Sequence, residues 1–170
     1  MKIRKLTIND LESLQNISIQ TFSETFSSEN STENITNYLE NSFSTKRLRA
    51  ELNDLNSHFY FAEIDNQVCG YLKINIGKAQ TEIQNENALE IERIYVLKEF
   101  QGMKVGQVLF EKATKIAKEK HVDFIWLGVW ENNHKAIQFY RKNGFVAFDK
   151  HVFRLGNDEQ TDIMMKLKIN

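Results

Sequence analysis

The sequence of 170 residues contains no proline and a single cysteine, Cys69. Without proline there is no proline-rich linker to mark a domain boundary. One cysteine cannot form a disulfide within the chain, and its place in an apolar, strand-like run predicts a buried thiol rather than a nucleophile. The length is enough for a domain with its own core, so we expect one domain over residues 1–170.

Long apolar runs and a surplus of positive charge are also missing. No apolar run of signal-peptide length follows the N-terminus, and no stretch approaches the roughly 20 apolar residues of a membrane span. The chain has 22 Lys and Arg against 23 Asp and Glu, a net charge of -1, so its composition does not favour binding to nucleic-acid phosphates. We expect a cytoplasmic protein without nucleic-acid or membrane partners. The four histidines are scattered, which predicts no metal site.

Strand-like and helix-like patterns alternate along the chain. A strand, a helical region and a β-hairpin occupy residues 2–74, and the polar stretch 77–87 predicts a surface excursion or, alternatively, part of a substrate pocket. A strand at 89–96, an amphipathic helix from Val105 and an apolar strand at 124–130 predict a right-handed crossover. These two strands should therefore be parallel, and if their ends splay apart they leave a slot for an extended ligand.

The loop before the amphipathic helix has the features of an anion site. It contains Gly102 and Gly106, which allow backbone to approach a ligand closely. Free N–H groups and the positive end of the helix dipole at a helix N-terminus suit a phosphate or pyrophosphate. An ordinary turn explains the same glycines, so the loop alone does not decide between the two interpretations.

Two spaced motifs resemble those of the GCN5-related N-acetyltransferases (GNAT): Gln101-x-x-x-x-Gly106 and Asn133-x-x-Ala136-x-x-Phe139-Tyr140-x-x-x-Gly144-Phe145. The resemblance covers essentially the whole chain. Segments 89–95, 126–131 and 159–162 are similar to those of the PaiA-type bacterial polyamine acetyltransferases. The resemblance implies an α/β (α+β) fold, a single GNAT domain with a mixed central sheet of about seven strands. Its central pair would be parallel, splayed and flanked by helices.

By resemblance, the cosubstrate is acetyl-CoA. Its pantetheine arm would pair with the backbone of Ile94 and Val96, and its pyrophosphate would lie on the N–H groups of the glycine-containing loop. The full set implied for cofactor binding is Ile94, Tyr95, Val96, Gln101, Gly102, Met103, Lys104, Val105, Gly106, Gln107, Asn133, Lys135 and Tyr140. Core packing for Ile94 and Val96, helix capping for Asn133 and a solvated charge for Lys135 are the alternative interpretations.

Lys104 departs from the family pattern, which has glycine at this position of the loop. Lysine keeps its backbone N–H, and its charge favours a pyrophosphate. A lysine does not easily adopt a positive φ, however. If the loop requires a left-handed residue there, the affinity for the cofactor is in doubt.

Amine attack on a thioester requires a neutral amine and a proton donor for the leaving thiolate. The resemblance places the general acid at Tyr140, and the alternative is an aromatic residue packed into the core. Glu92 is the candidate base, acting through water, because it alternates with Ile94 and Val96 and should share their strand face. Glu92 has two alternative roles, attraction of a cationic substrate and an ion pair with a neighbouring basic residue.

The subgroup implies a small polycationic acceptor such as spermidine or spermine. Acidic and aromatic side chains would bind such a substrate, and the candidates are Glu24, Phe26, Glu92, Trp130 and His151. Two other functions stay open: acetylation of a protein or peptide amine, and acetyl-CoA binding by a non-catalytic regulator. Tyr140 argues against the regulator, whereas Lys104 leaves room for it. Exposed strand edges in the last hairpin make a homodimer possible.

Overall fold

The computed structural model describes residues 1–83 and 85–170, and in this part of the chain it has seven strands and five α-helices. In chain order they are β1 (Lys2–Lys5), α1 (Leu11–Phe26), α2 (Thr32–Ser42), α3 (Thr45–Asn53), β2 (Ser57–Ile64), β3 (Gln67–Ile76), β4 (Ala88–Val96), α4 (Val105–Glu119), β5 (Phe124–Trp130), α5 (His134–Lys142), β6 (Val146–Leu155) and β7 (Asp158–Lys168). No helix within the described ranges is both long and apolar enough to cross a membrane.

The strands form one mixed sheet in the order β1-β2-β3-β4-β5-β7-β6. Only β4 and β5 are parallel among the pairs that the described residues form, so the predicted seven-stranded mixed sheet with a parallel central pair is confirmed. Helices α4 and α5 pack on one face, and α1, α2 and α3 pack on the other. Cys69 is fully buried, as predicted.

The pairing of β4 with β5 is short. It joins residues 88–90 to residues 124–126 and then stops, although β4 continues to Val96 and β5 to Trp130. Beyond this point β4 stays paired with β3, and β5 stays paired with β7. The two central strands therefore face each other across a gap in the sheet.

A β-bulge in β4 changes the face of the sheet on which its side chains lie. Opposite β3, Lys73 pairs with Arg93 but Ile74 pairs with Ile91, so Glu92 is an extra residue in the register. Glu92 and Arg93 consequently lie on the face covered by α1, α2 and α3, whereas Ile94 packs with the α4 core. The expectation that Glu92 shares the face of Ile94 is wrong, because strict alternation of side chains ends at a bulge.

Glu92 lies in a nearly buried network of charges. Its carboxylate contacts Lys73 Nζ at 2.5 Å and Arg93 Nη2 at 3.1 Å, and it accepts a hydrogen bond from Asn75 Nδ2 at 2.6 Å. Glu51 of α3 contacts the same two cations, at 3.2 Å and 3.0 Å. Burial alone would raise the pKa of Glu92, but Arg93 and Lys73 lower it to about 2. The predicted ion pair with a neighbouring basic residue is present.

The polar stretch 77–87 does not lie wholly on the surface. Gln80 is buried, and its Oε1 accepts a hydrogen bond of 2.7 Å from the indole Nε1 of Trp126. A buried amide is tolerated when its polar atoms have such partners, so polarity alone was a poor guide to exposure here. The expected surface excursion is therefore wrong for Gln80, and position 84 of the same stretch lies outside the described residues.

β6 lies at the edge of the described sheet, and Val146 and Val152 on this strand are exposed. The homodimer contact expected at the last hairpin would use this edge, and it stays a prediction.

Replacing Glu92 by Gln should destabilise the protein. Breaking a buried ion pair costs about 3–5 kcal/mol. Since Glu51 still contacts both cations in the variant, we expect a loss of about 2 kcal/mol in the free energy of unfolding at pH 7, measured by urea denaturation. The lowered pKa of Glu92 stabilises the fold above pH 4.5, and this contribution is lost as the pH falls towards 2. The variant should therefore lose less stability than the wild type over that range.

Glu119→Gln is the matched control, because the Glu119 carboxylate is exposed and lies 3.9 Å from Lys115 Nζ. Exposed pairs contribute about 0–1 kcal/mol. Equal losses of unfolding free energy in the two variants would show that the network at Glu92 stabilises the fold no more than an exposed ion pair does.

Candidate active site

A cavity of about 540 Å³ fills the gap between β4 and β5. Both strands line it, together with the loop before α4, the start of α4, α5 and parts of α1, α2, β6 and β7. Most of the site residues predicted from the sequence line this cavity: Phe26, Glu92, Ile94, Tyr95, Val96, Gln101, Gly102, Lys104, Val105, Gly106, Gln107, Trp130, Asn133, Lys135 and Tyr140.

Three predicted site residues do not line this cavity. Met103 projects from the loop and is 50% exposed. The Glu24 carboxylate accepts hydrogen bonds from the backbone N–H of Lys98 at 2.9 Å and from the amide of Gln20 at 3.1 Å. Glu24 thus secures the chain after β4, and this position does not support the expected substrate contact. His151 is not among the residues that line the cavity.

The loop before α4 requires a left-handed residue at Lys104. Lys104 has φ 63° and ψ 13°, and Gly102 has φ 87°. For a residue with a Cβ, this conformation costs roughly 1–2 kcal/mol. Lys104 makes no side-chain cap at the start of α4, so the first N–H groups of the helix are available to an anion. The sequence left open whether this position needs a positive φ, and the structure shows that it does.

Gln101 and Lys135 meet across the mouth of the cavity. Lys135 Nζ donates a hydrogen bond of 2.7 Å to Gln101 Oε1, and Gln101 Nε2 donates one of 3.3 Å to the carbonyl of Val96. At the start of α5, the Asn133 side chain accepts a hydrogen bond from the N–H of Ala136 at 3.2 Å. Asn133 is therefore a helix cap that also lines the cavity.

Tyr140 is both a core residue and a wall of the cavity. Its ring lies 5.5 Å from that of Phe139 and 5.6 Å from that of Phe145, measured between centroids. Burial raises the pKa of the Tyr140 hydroxyl above its usual value. The phenol therefore keeps its proton across the physiological pH range and can donate it.

On the α1–α3 face the cavity has an aromatic wall. We call this part the aromatic chamber, and its rings are Phe22, Phe26, Tyr38, Phe43, Trp130 and Phe153. The Phe26 and Trp130 centroids are 5.1 Å apart, and those of Tyr38 and Phe153 are 5.7 Å apart. Tyr38, Phe43 and Phe153 were not predicted from the sequence, because no local sequence pattern distinguishes an aromatic residue that faces a cavity from one that faces the core.

Asp162 on β7 is a further residue of the cavity wall that was not predicted from the sequence. Asp162 lines the cavity close to Gly128, and a Cβ at Gly128 would lie 3.3 Å from Asp162 Oδ2. Burial raises the pKa of Asp162 to about 6, with His151 lowering it and Glu82 raising it. Asp162 lies in the segment 159–162 that contributed to the family resemblance, and this signal could have identified it.

Comparison with known proteins identifies the family. The model described as "Acetyltransferase (GNAT) family" matches residues 11–145. The uncharacterized N-acetyltransferase in the pepI 3'region of Lactobacillus delbrueckii subsp. lactis is 42% identical over 166 residues, which cover 98% of this chain and 96% of that protein. The spermidine N(1)-acetyltransferase of Thermoplasma acidophilum is 29% identical over 153 residues, 88% of this chain and 90% of that protein.

A solved structure shares the fold over nearly its whole length. The crystal structure of PaiA N-acetyltransferase from Thermoplasma acidophilum in complex with coenzyme A has a TM-score of 0.81 and 28% identity, and the match covers 98% of both chains. The family match runs from α1 to the end of the loop after α5, and it includes the loop before α4 and Tyr140. The chain belongs to the GNAT family and is an acetyl-CoA-dependent N-acetyltransferase.

Proposed function

We propose that this enzyme transfers the acetyl group of acetyl-CoA directly to a primary amine of a small cationic acceptor, with spermidine or spermine as the first candidate. The observation that carries the proposal is one continuous cavity across the sheet. At one end it has the start of α4, and at the other it has the aromatic chamber and Asp162. Two substrates can meet in such a cavity, so the transfer needs no covalent enzyme intermediate.

The residues at the α4 end fit acetyl-CoA. The uncapped N–H groups after Lys104 suit a pyrophosphate, and the ammonium groups of Lys104 and Lys135 add positive charge. The backbone of Ile94 and Val96 beside the gap suits the amide groups of a pantetheine arm, which would lie along β4 as an added strand does. Similarity to a PaiA structure that contains coenzyme A supports the same site.

Tyr140 is proposed as the general acid. Its raised pKa keeps the hydroxyl protonated, and its place in the cavity wall allows it to protonate the sulfur when the C–S bond breaks. Glu92 stays a predicted base, but its pKa of about 2 counts against that role. A carboxylate already paired with Lys73 and Arg93 has little affinity for a further proton.

Two observations bear on the acceptor. A relative named spermidine N(1)-acetyltransferase and an aromatic wall able to make cation–π contacts favour a polyamine. In the described cavity wall, however, Asp162 and the paired Glu92 are the only carboxylates. A polyamine offers several charges, so this wall also fits an amine with one charge and an apolar body, including a peptide α-amine, as the second candidate.

The purified protein should release CoA when it is given acetyl-CoA and spermidine. We would measure the free thiol with a panel that contains spermidine, spermine, a singly charged arylalkylamine and a peptide with a free N-terminus. The acceptor with the highest kcat/KM identifies the class. If the protein binds acetyl-CoA by calorimetry but acetylates no amine in the panel, it is a non-catalytic acetyl-CoA-binding protein and the proposal fails.

Tyr140→Phe removes the proton donor and keeps the packing of the ring. We expect kcat to fall by about 10²- to 10⁴-fold, with the dissociation constant of acetyl-CoA unchanged in calorimetry. Tyr60→Phe is the control, since Tyr60 is a buried tyrosine of β2 outside the cavity wall. A wild-type kcat in Tyr140→Phe would exclude Tyr140 as the general acid.

Lys104→Gly tests the cost of the left-handed residue in the loop. The glycine removes roughly 1–2 kcal/mol of conformational cost from the folded state. It also raises the conformational entropy of the unfolded chain, which lowers stability by about 0.4–1 kcal/mol. We therefore expect a gain in unfolding free energy of up to about 1 kcal/mol. The lost charge should weaken acetyl-CoA binding several-fold at low salt and less at high salt.

Gly102→Ala is the opposite change in the same loop, because Gly102 has φ 87° and no atom within 4 Å of an added Cβ. It should lower stability through backbone strain alone. Similar stability changes in both variants would contradict this account of the loop.

A further inference from the structure

Asp162 is a carboxylate of the cavity wall, and unlike Glu92 it is not paired with Lys73 or Arg93. We propose that Asp162 binds the ammonium group of the acceptor and takes its proton before the amine attacks acetyl-CoA. The inference rests on the proposed function, because it assigns a residue to the acceptor end of the same cavity.

The strand order places Asp162 beside the gap. β7 lies between β5 and β6, so Asp162 is directly opposite Trp130 on one side and His151 on the other. Trp130 packs against Phe26 of α1, which puts this part of β5 on the face covered by α1, α2 and α3. Glu92 lies on the same face of β4, so the two carboxylates flank the gap from its opposite sides.

Gly128 opens the approach to the carboxylate. A side chain at this position would begin 3.3 Å from Asp162 Oδ2 and 3.8 Å from His151 Cε1. Because Gly128 has no Cβ, that space is open, and Gly128 and Asp162 both line the cavity. An amine that enters from the aromatic chamber can therefore reach Asp162 next to the strand that borders the thioester end of the gap.

The neighbouring charges leave Asp162 available. Nε2 of His151 on β6 contacts Glu82 Oε1 at 3.3 Å, whereas Nδ1 of His151 is buried and has no hydrogen-bond partner among the described residues. On β4, Arg93 is held by Glu92 and by Glu51 of α3. The adjacent positions of β5, Gly128 and Trp130, and Thr25 and Phe26 of α1 are uncharged.

Their environments separate the two carboxylates in proton affinity. Burial raises the pKa of Asp162 to about 6, and the charges of His151 and Glu82 act on it in opposite directions. Arg93 and Lys73 hold the pKa of Glu92 at about 2 against its burial. Of the two, Asp162 is ionised at neutral pH and still able to accept a proton, which is the requirement for a general base.

The proposed transfer conserves protons and bonds. Asp162 takes one proton from the ammonium group, and the freed lone pair forms the N–C bond to the thioester carbonyl carbon. The C–S bond then breaks, and the sulfur leaves with the proton of Tyr140. The new amide nitrogen gives up its extra proton, which restores Tyr140 through solvent, and Asp162 releases its proton to water. The products are the acetylated amine, CoA and one proton.

Asp162→Asn tests the assignment with the amine that the panel identifies. We expect kcat/KM for the amine to fall by about 10²-fold or more, with acetyl-CoA affinity unchanged. The wild-type profile of kcat/KM should fall below a midpoint near pH 6, where Asp162 becomes protonated, and this limb should be absent in the variant. Wild-type efficiency with the limb retained would overturn the proposal.

Asp158→Asn is the matched control. Asp158 is an exposed residue of the same strand outside the cavity, and its Oδ2 accepts a hydrogen bond of 3.2 Å from Asn34. It loses the same negative charge and should keep the activity and the pH profile. Gly128→Ala should raise KM for the amine several-fold by crowding Asp162, and an unchanged KM contradicts the proposed approach.

A titration without turnover separates this inference from the proposed function. The carboxyl ¹³C signal that Asp162→Asn removes should titrate near pH 6, and spermidine should lower that midpoint because a bound ammonium favours the carboxylate. A midpoint near pH 4, or no shift with any amine of the panel, overturns the role of Asp162. Failure of the wild type to acetylate any amine overturns the proposed function instead.

Discussion

The early end of pairing between β4 and β5 is the constraint on which the rest of the structure depends. Buried backbone N–H and C=O groups need partners, and a gap in the middle of a sheet leaves such groups without a neighbouring strand. A cavity that admits an extended, amide-containing ligand meets this need. The start of α4 and the mouth formed by Gln101 and Lys135 lie along the same gap, so one interruption of the sheet organises the whole site.

The bulge at Glu92 compensates for part of what the gap removes. It turns two consecutive charged side chains, Glu92 and Arg93, towards the helices that cover this face. Glu51 then ties α3 to β4 through Arg93 and to β3 through Lys73. Ion pairs on the face covered by α1, α2 and α3 therefore stabilise β4 in the part where its hydrogen bonds to β5 have ended. The same network lowers the pKa of Glu92, so Asp162 has the higher pKa of the two carboxyl groups.

Local features of the fold were predictable, and features that depend on strand order were not. The cap at Asn133 and the left-handed glycine at Gly144 follow from local rules, and both are present. The face of Glu92 depends on the register with β3, which strand periodicity does not contain. Asp162 reaches the cavity because β7 lies between β5 and β6, an arrangement that no local sequence pattern encodes.

The two tryptophans of the chain lie in contrasting surroundings. Trp126 is 2% exposed, with its indole hydrogen-bonded to Gln80, whereas Trp130 packs against Phe26 in the wall of the aromatic chamber. A molecule that enters the chamber changes the polarity around one indole and leaves the other as an internal reference. The intrinsic fluorescence of the protein thus reports occupancy of the acceptor end without any label.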